Sequence, residues 1–133
     1  MKAVILAAGI GSRVRPLTDN THKSLLKIGD KTILERMVSS ILDLGIKEIV
    51  IITGYLENQI KEFIKKNFSD ANISFIRNEK YLKTNTGYSL LLAKDFVKDD
   101  NFVKFDADVV FEKSVLEKLI NSPYPSALCI DTN

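Results

Sequence analysis

Cysteine is almost absent from this sequence, with one in 133 residues, and prolines are few, with three. A lone thiol closes no disulfide within the chain, so the fold must rest on a packed core. Cys129 lies in the apolar stretch "SALCI" and reads as a small buried hydrophobe rather than a reactive thiol. A large charge of one sign is also missing. Nineteen basic residues meet seventeen acidic ones, for a net charge of +2, which supports neither a nucleic-acid-binding stripe nor a membrane-hugging face. Any basic site must therefore be local. No apolar run approaches the ~20 residues that a membrane span requires. The opening "MKAVILAAGI" has the lysine, apolar run and small residues of a secretory leader, but Arg13 and Arg15 follow where a cleavage region should continue. It reads as a first strand, and the chain as cytoplasmic. Repeats, linkers and low-complexity tracts are absent as well.

What remains is an ordinary globular composition, 45% hydrophobic and 27% charged. A chain of this length forms one domain, here residues 1–133, and buries roughly two-thirds of its unfolded surface. Short β-branched runs alternate with longer amphipathic ones. The expected strands are "KAVILA" (2–7), "EIVIIT" (48–53), "NISFI", "NFVKF" (101–105) and "SALCID" (126–131). The expected helices lie in "KTILERMVSSILDLG", capped by Thr32 and stopped by Gly45, and in "YLENQIKEFIKKNF", "GYSLLLAKDFV" and "EKSVLEKLIN". This order predicts a Rossmann-like three-layer α/β/α fold with a mostly parallel sheet, strand order 3-2-1-4-5. Ligands of such sheets sit beyond the carboxyl ends of the strands where the winding reverses. Two loops with unusual chemistry follow the first and fourth strands and would share that crevice.

In the first, "LAAGIGSRVRPLT", Gly9 and Gly11 omit side chains where the chain turns and let backbone N–H groups face an anion, while Arg13 offers a two-pronged cation. It is neither the dinucleotide fingerprint, since Val14 stands where a third glycine should be, nor a P-loop, since no GK[ST] follows. A GxG alone fits an ordinary strand-to-loop turn as well. Lys23, in the polar loop "THKSLLKIGDK", gains interest only in combination with Arg13 and a carboxylate pair. In the second loop, "FDADVVF", Asp106 and Asp108 are two apart, so extended backbone aims both carboxylates to one side. Their mutual repulsion, about 4 kcal/mol at ~4 Å and an effective dielectric near 20, would be relieved by a divalent cation such as Mg²⁺. A helix-capping aspartate is the competing explanation. His22 reads as a solvated loop residue, and Lys61, Lys65 and Lys66 as a wet helix face. Tyr81 and Tyr88 read as rim packing that could alternatively stack on a base.

Taken together, "LAAGIGSRVRPLT", "THKSLLKIGDKTILE", Gly54–Tyr55 and "FDAD" resemble the nucleotidyltransferases that join a nucleotide to a phosphorylated small molecule. "DAD" and "YSLLLA" look most like the cytidylyltransferases acting on phosphocholine or inositol phosphate. The resemblance implies that the backbone of Ala7, Ala8 and Gly9 cradles base and ribose, with Gly11, Ser12 and Arg13 on the triphosphate. It also implies that Lys23 bridges the reacting phosphates with Arg13 as its catalytic partner, that Asp108, and less directly Asp106, holds Mg²⁺, and that residues 84–88, Thr86 and Gly87 among them, face the base or acceptor. The expected partners are CTP or another nucleoside triphosphate and a phosphorylated acceptor, with no nucleic acid and no membrane. Three departures stand out. His22 replaces the proline that usually precedes the lysine, Thr86–Gly87 leaves the base-reading position open, and relatives run well past 200 residues, so the domain is expected to be incomplete at its C-terminus. Sugar-1-phosphate uridylyl or thymidylyl transfer fits the phosphate-directed residues equally. A catalytically silent nucleotide-binding module, or an excised piece with an exposed apolar edge near "SALCI", also remains open.

Overall fold

A computed structural model describes residues 1–130 and 132. Its central sheet has four parallel strands in the order β5-β4-β1-β6. These are β1 (Lys2–Ala7), β4 (Glu48–Thr53), β5 (Asn72–Arg77) and β6 (Phe102–Asp106). Numbered by the strands expected from sequence, the order is 3-2-1-4. Between β1 and β4 come a small antiparallel ribbon, β2 (Lys27–Ile28) with β3 (Lys31–Thr32), and helix α1 (Ile33–Asp43). The ribbon was not anticipated, because two-residue strands carry no periodicity to read. Helix α2 (Glu57–Asn67) connects β4 to β5, α3 (Thr86–Leu92) and α4 (Lys94–Val97) lead to β6, and α5 (Lys113–Ile120) follows it.

The boundaries follow from local chemistry. Thr32 Oγ1 accepts the Glu35 N–H at 3.0 Å, capping α1. Gly45 ends that helix at φ +84°, a left-handed conformation that glycine adopts without steric cost. In β1 and β4 alternate side chains serve opposite layers. Ala3, Ile5, Ile49 and Ile51 pack with Leu34, Met37, Val38 and Ile41 of α1, Ile60 and Ile64 of α2, and Leu116 of α5. Val4, Leu6, Val50 and Ile52 pack instead against Ala93 with Leu90 and Phe96. Both strands are thus buried on two faces, which is why they read as continuous apolar runs.

The expected fifth strand is corrected. Residues 126–130 are irregular, and Asp131 lies outside the described residues. Leu128 and Ile130 are exposed, and Cys129, expected to be buried, is exposed too. Residues 126–130 form no ladder with the sheet, so their apolar side chains gain no partner surface. Among the described residues no helix is long and apolar enough to cross a membrane.

Candidate active site

The winding reverses beside β1: β4 and β5 extend the sheet on one side of it and β6 on the other. At the carboxyl edge the departing loops are stitched together by backbone. Ala107 N–H donates to the Leu6 carbonyl at 3.1 Å, Tyr55 N–H to Ala8 at 3.2 Å, and Asn78 N–H to Thr53 at 2.8 Å. A cleft of about 410 Å³ opens there, lined by Ala8, Gly9, Lys23, residues 84–86, Asp106 and Asp108 among others.

Lys23 Nζ donates to Asp108 Oδ2 at 3.0 Å, and a Cβ placed on Gly9 would lie 3.8 Å from the same ammonium. The lysine therefore reaches across the first loop to the last. Asp106 has its own cation: Lys104 Nζ lies 2.9 Å from its Oδ2. The repulsion expected between Asp106 and Asp108 is thus met by two lysines, and charge balance alone does not require a shared metal ion. What persists is a pair of half-exposed carboxylates on one cleft, hard oxygen donors suited to Mg²⁺.

The other expected residues are distributed unevenly. Thr86 joins Ala8 and Gly9 in the cleft wall. Ala7 has no exposed surface and contributes through its carbonyl. Gly11 precedes a single 3-10 turn, Ser12–Val14. Its φ is +64°, and a Cβ would come within 3.0 Å of Thr18 Cγ2, so close packing as well as backbone conformation demands glycine there. Ser12 and Arg13 are exposed on that turn, and they lie outside the cleft lining, as does Gly87 in the first turn of α3.

His22 departs most from expectation. Instead of facing solvent it is fully buried. Nε2 lies 2.8 Å from the Ala7 carbonyl, while Nδ1 accepts the Ser24 N–H at 3.1 Å with Ser24 Oγ at 2.8 Å. Because a carbonyl only accepts, these partners assign the proton to Nε2. Burial outweighs the Ala7 hydrogen bond and lowers the imidazole pKa from 6.5 to about 4, with nearby Lys23 adding to the effect. The backbone at His22 has φ −61° and ψ 138°, values that a proline would also adopt.

Several supporting residues had no role in the sequence reading, although Thr18 and Tyr55 lie within its motifs. Thr18, fully buried, donates from Oγ1 to the Gly11 carbonyl at 2.7 Å. Tyr55 Oη lies 2.9 Å from the Thr18 carbonyl, and Gln59 Nε2 donates to the Asn20 carbonyl at 2.7 Å. Buried Asn78 donates to Thr84 Oγ1 and Ser89 Oγ, both at 3.0 Å, and its Oδ1 accepts the Lys80 N–H at 2.9 Å. It thereby fixes the segment that carries Tyr81 and residues 84–86. Each is a polar residue in a polar stretch, and only the buried partners reveal its task. Lys61 bridges to Glu57 at 3.4 Å, and Lys65 and Lys66 are exposed, as the wet face of α2 requires.

This architecture defines a Rossmann-like α/β protein with its cleft at the winding reversal, where such sheets take their ligands. The chain belongs to the nucleotidyl transferase family, whose model matches residues 2–127. It is 44% identical over 125 residues to a choline-phosphate cytidylyltransferase of Haemophilus influenzae, covering 93% of this chain and 51% of that protein. A CTP:phosphoglutamine cytidylyltransferase of Campylobacter jejuni is 36% identical over 137 residues, covering 98% and 53%. Among solved structures, the CTP:phosphocholine cytidylyltransferase of Streptococcus pneumoniae superposes with a TM-score of 0.67 at 34% identity, over 82% of this chain and 50% of that one. The chain thus spans about half the length of the curated relatives it matches.

Proposed function

We propose that this chain supplies the nucleotide-binding half of a Mg²⁺-dependent cytidylyltransferase, working in the cytoplasm on a phosphorylated small molecule of the phosphocholine or inositol phosphate type. The single observation that carries the reading is the convergence of Lys23 and Asp108 on one cleft at 3.0 Å. In the proposed reaction an oxygen of the acceptor phosphate bonds to the α-phosphorus of CTP while the bond from that phosphorus to the bridging oxygen breaks, releasing pyrophosphate. No nucleophilic side chain is needed. The barrier is largely one of anion meeting anion, so the residues' work is to position and neutralise.

Ala8 and Gly9 form a wall without bulky side chains, against which the nucleotide would lie. Lys23 would meet the reacting phosphates as a point charge, and Arg13 would swing in from its exposed turn to the outer phosphates. Asp106 and Asp108 present oxygen ligands that fit a Mg²⁺ ion, which would supply further neutralisation of the triphosphate. Residues 84–86, with Gly87 behind them, would read base or acceptor. The cytidylyl preference is supported by the relatives named above, one called a choline-phosphate and one a phosphoglutamine cytidylyltransferase.

A thermal-shift series with Mg²⁺ and ATP, GTP, CTP, UTP or dTTP tests the donor, with a stabilisation of ~2.7 kcal/mol expected for CTP at a hundredfold excess over Kd. Adding phosphocholine, inositol phosphate or sugar phosphates and following pyrophosphate then tests the acceptor. Selective stabilisation by UTP or dTTP would transfer the assignment to sugar-1-phosphate chemistry. Binding of CTP without pyrophosphate release would leave a binding module, and binding of no nucleotide would end the proposal.

A further inference from the structure

Every polar atom of His22 is committed to a partner. Its backbone N–H donates to Gln59 Oε1 at 2.9 Å, its carbonyl accepts the Leu25 N–H at 2.9 Å, Nε2 meets the Ala7 carbonyl, and Nδ1 faces Ser24. The ring consequently links two segments that are not otherwise adjacent in sequence: the last residue of β1, from which Ala8 and Gly9 continue into the cleft wall, and the short turn Lys23–Leu25. Lys23 is covalently next to the strut. Its side chain is only 18% exposed and runs past Gly9 to Asp108. A lysine ammonium sits on a flexible four-carbon stem, so its place in the cleft depends on where the backbone holds its Cα relative to the opposite wall. That separation is what the imidazole spans.

We infer that His22 is a positioning residue for Lys23: the buried ring ties the Ala7 carbonyl to Ser24 and so sets the distance between the Ala8–Gly9 wall and the ammonium that meets substrate phosphates. The inference rests on the proposed nucleotide site. It differs from a core-filling role, which would fix the stability of the chain but not the action of its neighbour.

Titration calorimetry of the 133-residue chain with Mg·CTP separates the two. His22→Phe keeps the ring volume and deletes its hydrogen bonds, and is expected to raise Kd about tenfold with Lys23 present but less than twofold in a Lys23→Ala background, the signature of coupled residues. His22→Gln, whose amide still reaches toward the Ala7 carbonyl, should bring Kd back to within about threefold of the unsubstituted chain. Should His22→Phe fail to fold, Ser24→Ala, which removes one donor to Nδ1, enters the same cycle with an expected rise of about threefold. The nitrogen spectrum of the protein's single histidine provides a readout independent of nucleotide, and the Nε2–H tautomer is expected.

Equal fold-losses with and without Lys23 would overturn the inference, as would an unchanged Kd accompanied only by a lower unfolding temperature, or a proton found on Nδ1. If the unsubstituted chain binds no Mg-nucleoside triphosphate, the nucleotide-site reading falls and the positioning role falls with it. Binding with additive losses removes the positioning role alone.

Discussion

Gly54 and Tyr81 are packed so closely that a Cβ on the glycine would lie 2.7 Å from the Cβ and 2.8 Å from the Cγ of the tyrosine, with the Ala8 carbonyl at 2.9 Å on another side. The loop after β5 thus rests on bare backbone at the end of β4, with the carbonyl of Ala8, just past the end of β1, also in close contact. None of the three neighbours is a flexible side-chain tip that could yield.

Gly54→Ala is therefore expected to destabilise the chain by roughly 1–3 kcal/mol through overpacking and to push Tyr81 away from the cleft that it lines. Urea unfolding measures the first effect, and the Kd for Mg·CTP the second. An unchanged midpoint would mean that the loop moves at no cost.

Lys23→Ala should lower pyrophosphate release roughly 10²-fold or more, by analogy with the loss of single charge-stabilising donors in other enzymes. Arg13→Lys should also weaken turnover, because an ammonium cannot reproduce the two-pronged guanidinium. Steady-state assays of both variants check this, and full activity of Lys23→Ala would remove the lysine from its assigned role.

Asn78→Ala leaves Thr84 Oγ1 and Ser89 Oγ without their shared donor. The expected cost is about 1–3 kcal/mol, that of unsatisfied buried polar groups. Local loosening should accompany it, seen as faster amide exchange at Tyr81 and Lys83, whose N–H groups bond within this segment. Exchange in β1 and β4 should change little by comparison.

Protonating His22 is disfavoured chiefly by burial, with its pKa at about 4 against 6.5 for the free side chain. Between those values the unfolded chain holds a proton that the folded chain does not, so this group makes stability rise with pH through that window and adds no slope above or below it. The whole penalty, reached as pH falls to about 4, is about 3 kcal/mol. Urea midpoints from pH 7 to 4 should fall more steeply for the unsubstituted chain than for His22→Phe. Parallel curves would show that burial does not depress the histidine.

The sheet was readable because β1 and β4 are buried on both faces and carry the uninterrupted apolar runs that this demands. Thr32 and Gly45 marked the limits of α1 because capping chemistry is local. The segment 126–130 misled for the complementary reason: "SALCI" has a strand's composition, but a strand also needs a partner, and pairing is not written in the residues themselves. His22 shows the same limit at the site. Whether an imidazole is solvated or bridges Ala7 and Ser24 depends on a contact across fifteen residues. Lys23 and Asp108 could be paired from sequence only because both loops follow strands of one parallel sheet.

The two layers flanking the sheet carry unequal duties. Helices α1, α2 and α5 anchor one face of β1 and β4, whereas the segment from Asn78 through α3, which borders the cleft, lies with the opposite and thinner layer. Substitutions in the cleft-lining residues 84–86 can therefore accumulate while the larger apolar cluster stays intact. A scaffold divided in this way leaves the border of the cleft free to vary without the fold having to be rebuilt.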